Sequence, residues 1–525
     1  MIPVQERTAP NGMVAAVDHV AAEAGLVMLR AGGTAADAAV ATSAVLAVTS
    51  QHLCGMGGDL FAIVHDPGGD GTPQCLNASG RAGSGAAAVA DALRDAGHTA
   101  VPFKDHIAAV TVPGCVDGWV ALHARYGALP LADVLAPAID YAANGFAPGY
   151  TARLTRAPMA ALPGGDDYGG DGALVRRPAV AGALRAIASD GRDAFYAGAF
   201  GDGLMTMGDG MYSADDLATP QVEWTAALGV DALGHRLWTA PPNSQGYLAL
   251  AAAWILDGLA LPDDPDDPLW AHLLVEASRQ AAFDRNTVLY DGADGTALLS
   301  PERLTPRRDA IDVNAAVSVG DNYRSGGTMC MSTIDKNRMG VTLIQSNASA
   351  WGSNLVEANT RIFLHNRGMG FSLDPAHPAA LQPGKRPPHT LSPMMVTHHD
   401  GSLAVALGTM GGDSQPQVLL QLLVRMLVHD ADPSRAVAEG RFALASPDIR
   451  GSGFDTWSHE GRVRVRIEAN APAGWAEGLA DRGHIVEATP PFDHGFGHAH
   501  AVVVDGDILC GGADPRSRSG AACGY

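Results

Sequence analysis

The stretch that decides our interpretation of the fold is Ser325-Gly326-Gly327-Thr328-Met329-Cys330-Met331-Ser332-Thr333-Ile334-Asp335. Its two glycines leave the backbone before Thr328 free to take conformations closed to other residues. After Thr328 the side chains alternate in type, residues 335–338 predict a turn, and residues 340–346 predict a returning strand. The pattern predicts a hairpin whose first residue is a hydroxyl nucleophile. Local sequence alone favours an ordinary hairpin after a glycine loop; the alternative is a junction at which the chain cuts itself before Thr328.

Composition indicates a globular protein with a large core. Of the 525 residues, 47% are hydrophobic and 17% charged, and the formal net charge is −21. The length allows either two to four domains or one large layered α/β body. An acidic surface argues against nucleic-acid and anionic-lipid partners, both of which need a basic surface.

Targeting and metal signals are weak. The first twelve residues contain no apolar core of a secretory signal, and the apolar run Ala35–Val48 is too short and interrupted to span a bilayer. The six cysteines form no CxxC pair, which predicts reduced, mostly buried thiols and a cytoplasmic location. His494, His498 and His500 invite a metal interpretation, but no convergent Asp or Cys spacing supports one.

Helical and strand-like segments alternate along the chain, which predicts the α/β class without internal repeats. The predicted helices are Ala15–Leu29, a second one capped by Thr34, Trp119–Arg125, Leu131–Ala142, Leu248–Leu259, Leu269–Asp284 and Pro416–Val428. The predicted strands are Leu60–Val64, Ile107–Val112, Arg361–Asn366, Met394–Thr397, Ala404–Leu407 and Ala501–Val504. Between a strand and a helix, residues 408–412 can aim adjacent backbone amides at one point, as an oxyanion hole requires.

Several stretches in this order resemble the γ-glutamyltranspeptidase family of N-terminal nucleophile hydrolases nearly end to end. They are residues 32–41, 55–58, 241–246, 272–277, 383–387, 408–412 and 513–517, the terminal Gly524-Tyr525, and, less well, Ala445-Ser446-Pro447. The resemblance implies a four-layer αββα sandwich shared by two subunits of one self-cleaved precursor. No cofactor and no metal are implied.

The resemblance also implies the site. The cut falls between Gly327 and Thr328 and gives a large segment 1–327 and a small segment 328–525, together one folded unit. Thr328 becomes the N-terminal nucleophile, and its new amine, with a reference pKa of about 7.7–8.0, takes the hydroxyl proton. Gly411 and Gly412 match the oxyanion-hole pair, and Ser346 matches a second hydroxyl that supports the nucleophile. Asn347 falls close to the family's site asparagine.

Departures from the family pattern concern the substrate. Gly370 stands where the transpeptidases hold the α-amine with an acidic residue, and His389-Thr390 replaces a pair of serines. Arg367 and Arg81 suit a carboxylate, so the expected substrate is a small acidic amide without the amino group, as in the oxamate amidohydrolase branch.

Three alternatives to that substrate remain open at this stage. They are a γ-glutamyl hydrolase or transpeptidase, a glutaryl-type acylase, and an unprocessed, non-catalytic scaffold. The expected partners are the substrate and the chain's own cleaved subunit, and a dimer of such heterodimers is one assembly left open.

Overall fold

Two antiparallel sheets lie face to face at the centre of the molecule, each with seven strands in the described residues. The computed structural model describes residues 6–169, 174–317, 327–445 and 463–525. Ser325 and Gly326 of the predicted junction, and Ser446 and Pro447 of the weakest motif, lie outside these ranges.

The strands of the described ranges form three sheets. The first, in spatial order, contains β1 (Arg7–Ala9), β16 (Ile508–Ala513), β15 (Ala499–Asp505), β11 (Leu403–Thr409), β10 (Met394–Thr397), β7 (His235–Thr239) and β6 (Leu228–Ala232). The second contains β17 (Ala521–Gly524), β2 (Met13–Ala16), β8 (Gly327–Ile334), β9 (Gly340–Ala348), β3 (Asp59–His65), β4 (Gln74–Ala78) and β5 (Glu223–Ala226). A small third sheet contains β12 (Phe442–Ala445), β13 (Arg464–Glu468) and β14 (Ile485–Thr489).

The α-helices of the described residues alternate with these strands. They are α1 (His19–Arg30), α2 (Ala35–Thr49), α3 (Ala86–Asp95), α4 (Cys115–Tyr126), α5 (Leu131–Asn144), α6 (Tyr150–Met159), α7 (Pro178–Asp190), α8 (Arg192–Tyr196), α9 (Ala199–Gly208), α10 (Ala214–Ala218), α11 (Tyr247–Asp257), α12 (Pro268–Ala281), α13 (Arg285–Val288), α14 (Gly295–Leu298), α15 (Pro301–Asp309), α16 (Gln415–Leu427), α17 (Pro433–Ala438) and α18 (Gly474–Asp481).

Helices cover the outer face of each sheet and complete the αββα sandwich. One apolar cluster joins α1, α2, α4 and α5 to the second sheet, and another joins α11, α12 and α16 to the first. Every residue of α2 is buried, because its many alanines let the helix lie close on the sheet. Thr34 caps its start, as the sequence predicted, and the structure adds that Thr34 and Asp37 form a reciprocal capping box.

Side-chain alternation along β8 decides where Thr328 points. Met329 and Met331 belong to the cluster beneath α2, whereas Cys330 and Ile334 belong to the cluster between the sheets. Because successive side chains of a strand point to opposite faces, the Thr328 side chain faces the layer between the two sheets.

Strand β11 crosses β8 on the other side of that layer. A Cβ added to Gly408 would lie 2.1 Å from the Cys330 sulfur, and one added to Gly340 would lie 2.5 Å from Leu403. Gly340 of β9 pairs with Ile334 of β8, so Leu403 lies toward the Ile334 end of β8 and Gly408 toward its Thr328 end. β8 and β11 therefore run in opposite directions, and the end of β11 lies at the Thr328 end of β8.

This close approach gives a prediction about stability. Gly408→Ala should destabilise the fold by about 1–3 kcal/mol, because the added methyl group overlaps the Cys330 sulfur. Gly182→Ala is the matched control: Gly182 lies inside α7 with no atom near its Cβ position, so alanine should be neutral or slightly stabilising there. Thermal unfolding of the two variants measures the difference, and equal midpoints would contradict the packing described.

Two predicted strands are wrong, and one predicted helix begins later than expected. Residues 107–112 form a short 3-10 turn and extended chain rather than a strand, since their backbone bonds go to Arg81 and to the Tyr212 hydroxyl. Residues 361–366 make only single bridges, and Arg361 has φ +58°, which breaks a strand. The first helix begins at His19, because residues 13–16 form β2.

Two further features concern the surface and the thiols. Among the described residues, no helix has the length and apolar character needed to cross a membrane. All six cysteines are free, and four of them are buried, as the sequence predicted.

Candidate active site

Thr328 and Ser346 form the centre of the site. The Thr328 hydroxyl donates to the Ser346 hydroxyl oxygen at 3.2 Å, and both side chains are buried. Ser346 also accepts a bond from the Ala348 amide at 2.8 Å, which fixes its oxygen. The β8–β9 register shifts between Gly327 and Met329, and such irregularities re-aim side chains next to functional sites.

The loop after β11 presents the predicted oxyanion-hole glycines. Gly411 has φ +143° and Gly412 has φ +59°, conformations that favour glycine. Hydrogen bonds fix both carbonyl groups: the Ser414 hydroxyl donates to Gly411 O, and Gln245 Nε2 donates to Gly412 O. Neither amide has an acceptor among the described residues, so both can bind an oxyanion.

A buried carboxylate that sequence reasoning did not single out adjoins the pair. Asp59 lies directly opposite Ser346 in the β3–β9 ladder and accepts bonds from the Gly80 amide at 2.9 Å and His389 Nε2 at 3.1 Å. His365 Nδ1 lies 3.4 Å from the same carboxylate. Burial alone would raise the pKa of Asp59, but the two histidines outweigh it and hold that pKa below its usual range.

His389 connects this carboxylate to the predicted substrate residues. Burial lowers the pKa of His389 to about 3, so its ring is neutral. Its Nδ1 accepts from the Leu391 amide, which assigns the proton to Nε2 and the donated bond to Asp59. Phe61 packs edge-on against the ring at 4.9 Å between centroids. His389 is thus fixed in one orientation, immediately before Thr390.

Arg367 is a buried guanidinium with one edge unpaired among the described residues. Its Nη1 donates to Thr390 Oγ1 at 3.2 Å, while Nε and Nη2 have no partner among the described residues. Burial lowers its pKa to about 10, against which the charges of Asp59 and Asp413 act. It therefore stays charged at neutral pH, and Nε and Nη2 together form the planar fork that binds a carboxylate through two parallel bonds.

Gln245 connects the glycine loop at 411–412 to the segment that contains Thr390. Its Nε2 donates to the carbonyls of Gly412 at 2.9 Å and Thr390 at 3.2 Å, and its Oε1 accepts from Arg285. Arg285 in turn pairs with Asp413 at 2.9 Å. One side chain therefore ties the glycine loop to the segment that holds Arg367.

Two predicted residues remain: Asn347 lies within the site, and Arg81 lies away from it. Asn347 follows Ser346, its Nδ2 donates to Gln51 O, and its carbonyl accepts from the Asn366 amide, which leads to Arg367. Arg81 lies apart, with its guanidinium 3.7 Å from Glu223 on a partly exposed edge. Its role in binding a carboxylate stays a prediction.

Sequence reasoning missed the residues that support the site, namely Asp59, Gln245, Arg285, His365 and Asp413. A signal existed for two of them, since Asp59 follows the glycine motif 55–58 directly and Gln245 lies within motif 241–246. Within the described ranges no group of three His, Cys, Asp or Glu side chains could hold a metal ion.

Comparison with known proteins identifies the family of the chain. The family profile described as gamma-glutamyltranspeptidase matches residues 21–524. The chain belongs to the γ-glutamyltranspeptidase family. Members of this family and the relatives below are hydrolases of the γ-glutamyltransferase type, so the chain is an enzyme that acts on amide C–N bonds.

Similar members of the γ-glutamyltranspeptidase family cover almost the whole chain. The oxamate amidohydrolase proenzyme of Klebsiella pneumoniae is 36% identical over 98% of both chains. The glutathione hydrolase-like YwrD proenzyme of Bacillus subtilis is 35% identical, again over 98% of both. Among solved structures, the cephalosporin acylase from Bacillus halodurans superposes with a TM-score of 0.89 at 32% identity, covering 100% of this chain and 98% of that one.

Proposed function

We propose that the chain is a self-processing amidohydrolase that cuts itself between Gly327 and Thr328 and then hydrolyses a small acidic, oxamate-like amide. The observation that carries the substrate class is the open edge of buried Arg367. The curated relatives named as proenzymes support the processing.

Cleavage begins with the Thr328 hydroxyl. Its oxygen attacks the Gly327 carbonyl carbon, the acyl group moves from nitrogen to oxygen, and water hydrolyses the ester. The products are a Gly327 carboxylate and a free Thr328 amine. The Ser346 hydroxyl oxygen accepts a hydrogen bond from the Thr328 hydroxyl at 3.2 Å and so orients the attacking oxygen.

The two segments stay together after the cut because their strands interleave. In the first sheet, β16, β15, β11 and β10 from segment 328–525 lie between β1 and β7 of segment 1–327. In the second sheet, β8 and β9 lie between β2 and β3. Separation would break ladders on both sides of each group, so the small segment stays bound as the large segment's partner.

Catalysis reuses the same oxygen on an external amide. The free amine takes the Thr328 hydroxyl proton, the oxygen attacks the amide carbon, and the amides of Gly411 and Gly412 stabilise the resulting oxyanion. The amine then passes the proton to the leaving nitrogen as the C–N bond breaks. Water hydrolyses the acyl ester and restores Thr328.

The charges around Arg367 favour an acid without an α-ammonium group. An ammonium group needs a carboxylate with unoccupied oxygens. Asp59 is engaged by Gly80 and His389, and Asp413 is engaged by Arg285. A γ-glutamyl substrate would therefore bury its ammonium group without a dedicated partner, at a cost of several kcal/mol.

A second candidate is an acylase for a longer acidic acyl group, such as glutaryl. The close superposition on a cephalosporin acylase favours it. Arg367 would bind the distal carboxylate in either case, so the two candidates differ in the distance between that carboxylate and the reacting carbon.

A screen of oxamate, glutaryl amides and γ-glutamyl amides with processed enzyme tests the proposal. We expect turnover of oxamate or a glutaryl amide and little turnover of γ-glutamyl compounds. Preference for the γ-glutamyl compounds would overturn the assigned substrate class.

Ser346 offers a prediction about rate. Ser346→Ala should lower kcat about tenfold, because the Thr328 hydroxyl loses the oxygen that orients it. Ser332→Ala is the matched control, since Ser332 is also a buried serine of the β8–β9 hairpin but its hydroxyl has no partner among the described residues. Steady-state kinetics of the two variants measures the effect, and equal kcat values would contradict the role of Ser346.

A further inference from the structure

A second buried polar side chain faces the layer that contains Thr328. His498 is 3% exposed, and neither of its ring nitrogens has a hydrogen-bond partner among the described residues. A buried imidazole without partners costs free energy, so its presence in a packed core calls for a ligand or a functional reason. No bond described above uses it.

Strand register gives the height of His498 in the sandwich. In the β11–β15 ladder, Gly408 pairs with His500 and Thr409 with Ala499, and Met410 N donates to His498 O in continuation. Gly408 lies over Cys330 of β8. The next residue on the β11 side of the ladder whose side chain faces the other sheet is Met410, two residues after Gly408. Because β8 and β11 run in opposite directions, Met410 lies over Thr328, two residues before Cys330. His498 is bonded to Met410 and therefore lies next to it, near Thr328.

Alternation gives the direction of the His498 side chain. Ala499 and Ala501 pack in the cluster beneath the helices of the first sheet, whereas Val502 packs between the sheets. His500 has the same parity as Val502 in β15, so its ring faces the inter-sheet layer. His498 directly precedes β15 and continues its ladder through the bond from the Met410 amide, so the same alternation directs its ring to that layer. The ring of His494 is next to that of His498, with 6.1 Å between the ring centroids.

His498 and Arg367 lie on opposite sides of the nucleophile. β3, which carries Asp59, pairs with β9, on the side of β8 where the Asp59, His389, Thr390 and Arg367 group lies. β15 pairs with β11 on the side away from β10, and a Cβ added to Gly511 of β16, the next strand, would lie 2.8 Å from the Met13 sulfur of β2. β15 therefore lies over the other side of β8, toward β2. If the acyl carboxylate binds Arg367, the leaving nitrogen points toward His498.

Resting on the proposed amidohydrolase function, we infer that His498 binds the leaving nitrogen of the amide through its N–H and so favours amides over esters of the same acid. Its neutral ring accepts an N–H hydrogen bond from the amide and turns the nitrogen toward the Thr328 amine. That amine, carrying the proton from the Thr328 hydroxyl, delivers it as the C–N bond breaks, leaving ammonia and the acyl ester on oxygen.

The state of the ring agrees with this role. Burial lowers the pKa of His498 to about 3, and the charge of Asp514 only partly opposes the effect, so the ring is neutral at working pH. A neutral imidazole can accept a bond from an amide N–H, which an imidazolium cannot. Fixing the leaving group near the proton donor lowers the barrier through orientation.

The test compares two leaving groups on one acyl group. Oxamate is paired with monomethyl oxalate, or glutaramate with monomethyl glutarate, according to the acid that the screen selects. Both members give the same acyl-enzyme, but the ester has no N–H to donate. His498→Leu should lower kcat/KM about five- to tenfold for the amide and leave the ester within twofold.

His500→Leu is the matched control, because His500 lies on β15 two residues after His498, is also buried and also lacks ring partners among the described residues, but pairs with Gly408, which lies over Cys330. It should lower the amide-to-ester ratio by less than twofold. Should His498→Leu fail to mature, His498→Asn and His498→Gln are measured instead. Each keeps one polar group in place of a ring nitrogen, so the variant whose polar group replaces the nitrogen that binds the amide should keep the higher amide-to-ester ratio.

Equal losses on amide and ester in every His498 variant would overturn the inference and leave the amidohydrolase function intact. A processed wild type that hydrolyses neither member of either pair would overturn the proposed function, and the inference with it.

Discussion

Replacing Thr328 with alanine is expected to leave the chain uncut and without amidase activity. Thr328 supplies the attacking oxygen for self-cleavage and, after the cut, both the nucleophile and the amine that takes its proton. The Ser346 hydroxyl cannot replace it in catalysis, because Ser346 has no free N-terminal amine. Denaturing gels should show one 54.0 kDa chain, and activity should fall at least about ten-thousandfold.

Thr328→Ser is the matched control for this variant. Serine keeps the oxygen and would keep the amine after cleavage, so maturation should proceed, more slowly, and a substantial part of the activity should return. Cleavage of Thr328→Ala at the wild-type rate would show that another residue performs the attack.

Replacing Arg367 with leucine is expected to remove the preference for acidic amides. The open Nε and Nη2 edge is the only part of this buried guanidinium without a bond in the described residues, and a bidentate carboxylate would fill it. Two charge-assisted bonds predict a loss of about a hundredfold or more in kcat/KM for the anionic amide. The neutral amide of the same acid, measured alongside, should change little.

Arg425→Leu controls for the loss of a buried arginine. Arg425 lies on α16 over the rings of Trp270 and Trp475, and burial lowers its pKa to about 10 as well. Its removal should lower stability and leave the anionic-to-neutral preference unchanged. A similar change of preference in both variants would contradict the assignment of the substrate carboxylate to Arg367.

The local elements around the nucleophile were predictable from sequence because their signals are short-range. Thr34 and Asp37 indicate the start of α2, and the alternation of side-chain types after Thr328 predicts β8. The glycines at 411 and 412 mark backbone that other residues adopt with strain, and both have positive φ.

The environment of the site could not be predicted in the same way. Asp59 and His389 are separated by 330 residues, and nothing in either local sequence announces that they meet. The same limit explains the wrong strand at residues 361–366. Its apolar residues pack in the core without joining a sheet, and a short apolar run does not distinguish the two cases.

The motifs fix the order of the site residues along the chain, whereas the distances between those residues depend on the folded structure. Arg81 illustrates the difference. Its residue type and position suited a carboxylate, but its guanidinium lies next to Glu223 rather than with Arg367 and Thr390.

The central claim is that the chain cuts itself between Gly327 and Thr328, and intact-mass measurement with N-terminal sequencing of the purified wild type tests it most directly. The cut predicts fragments of 327 and 525 − 327 = 198 residues, the smaller beginning Thr-Met-Cys-Met. An uncut chain after prolonged incubation, or a small fragment beginning at any other residue, would contradict the account.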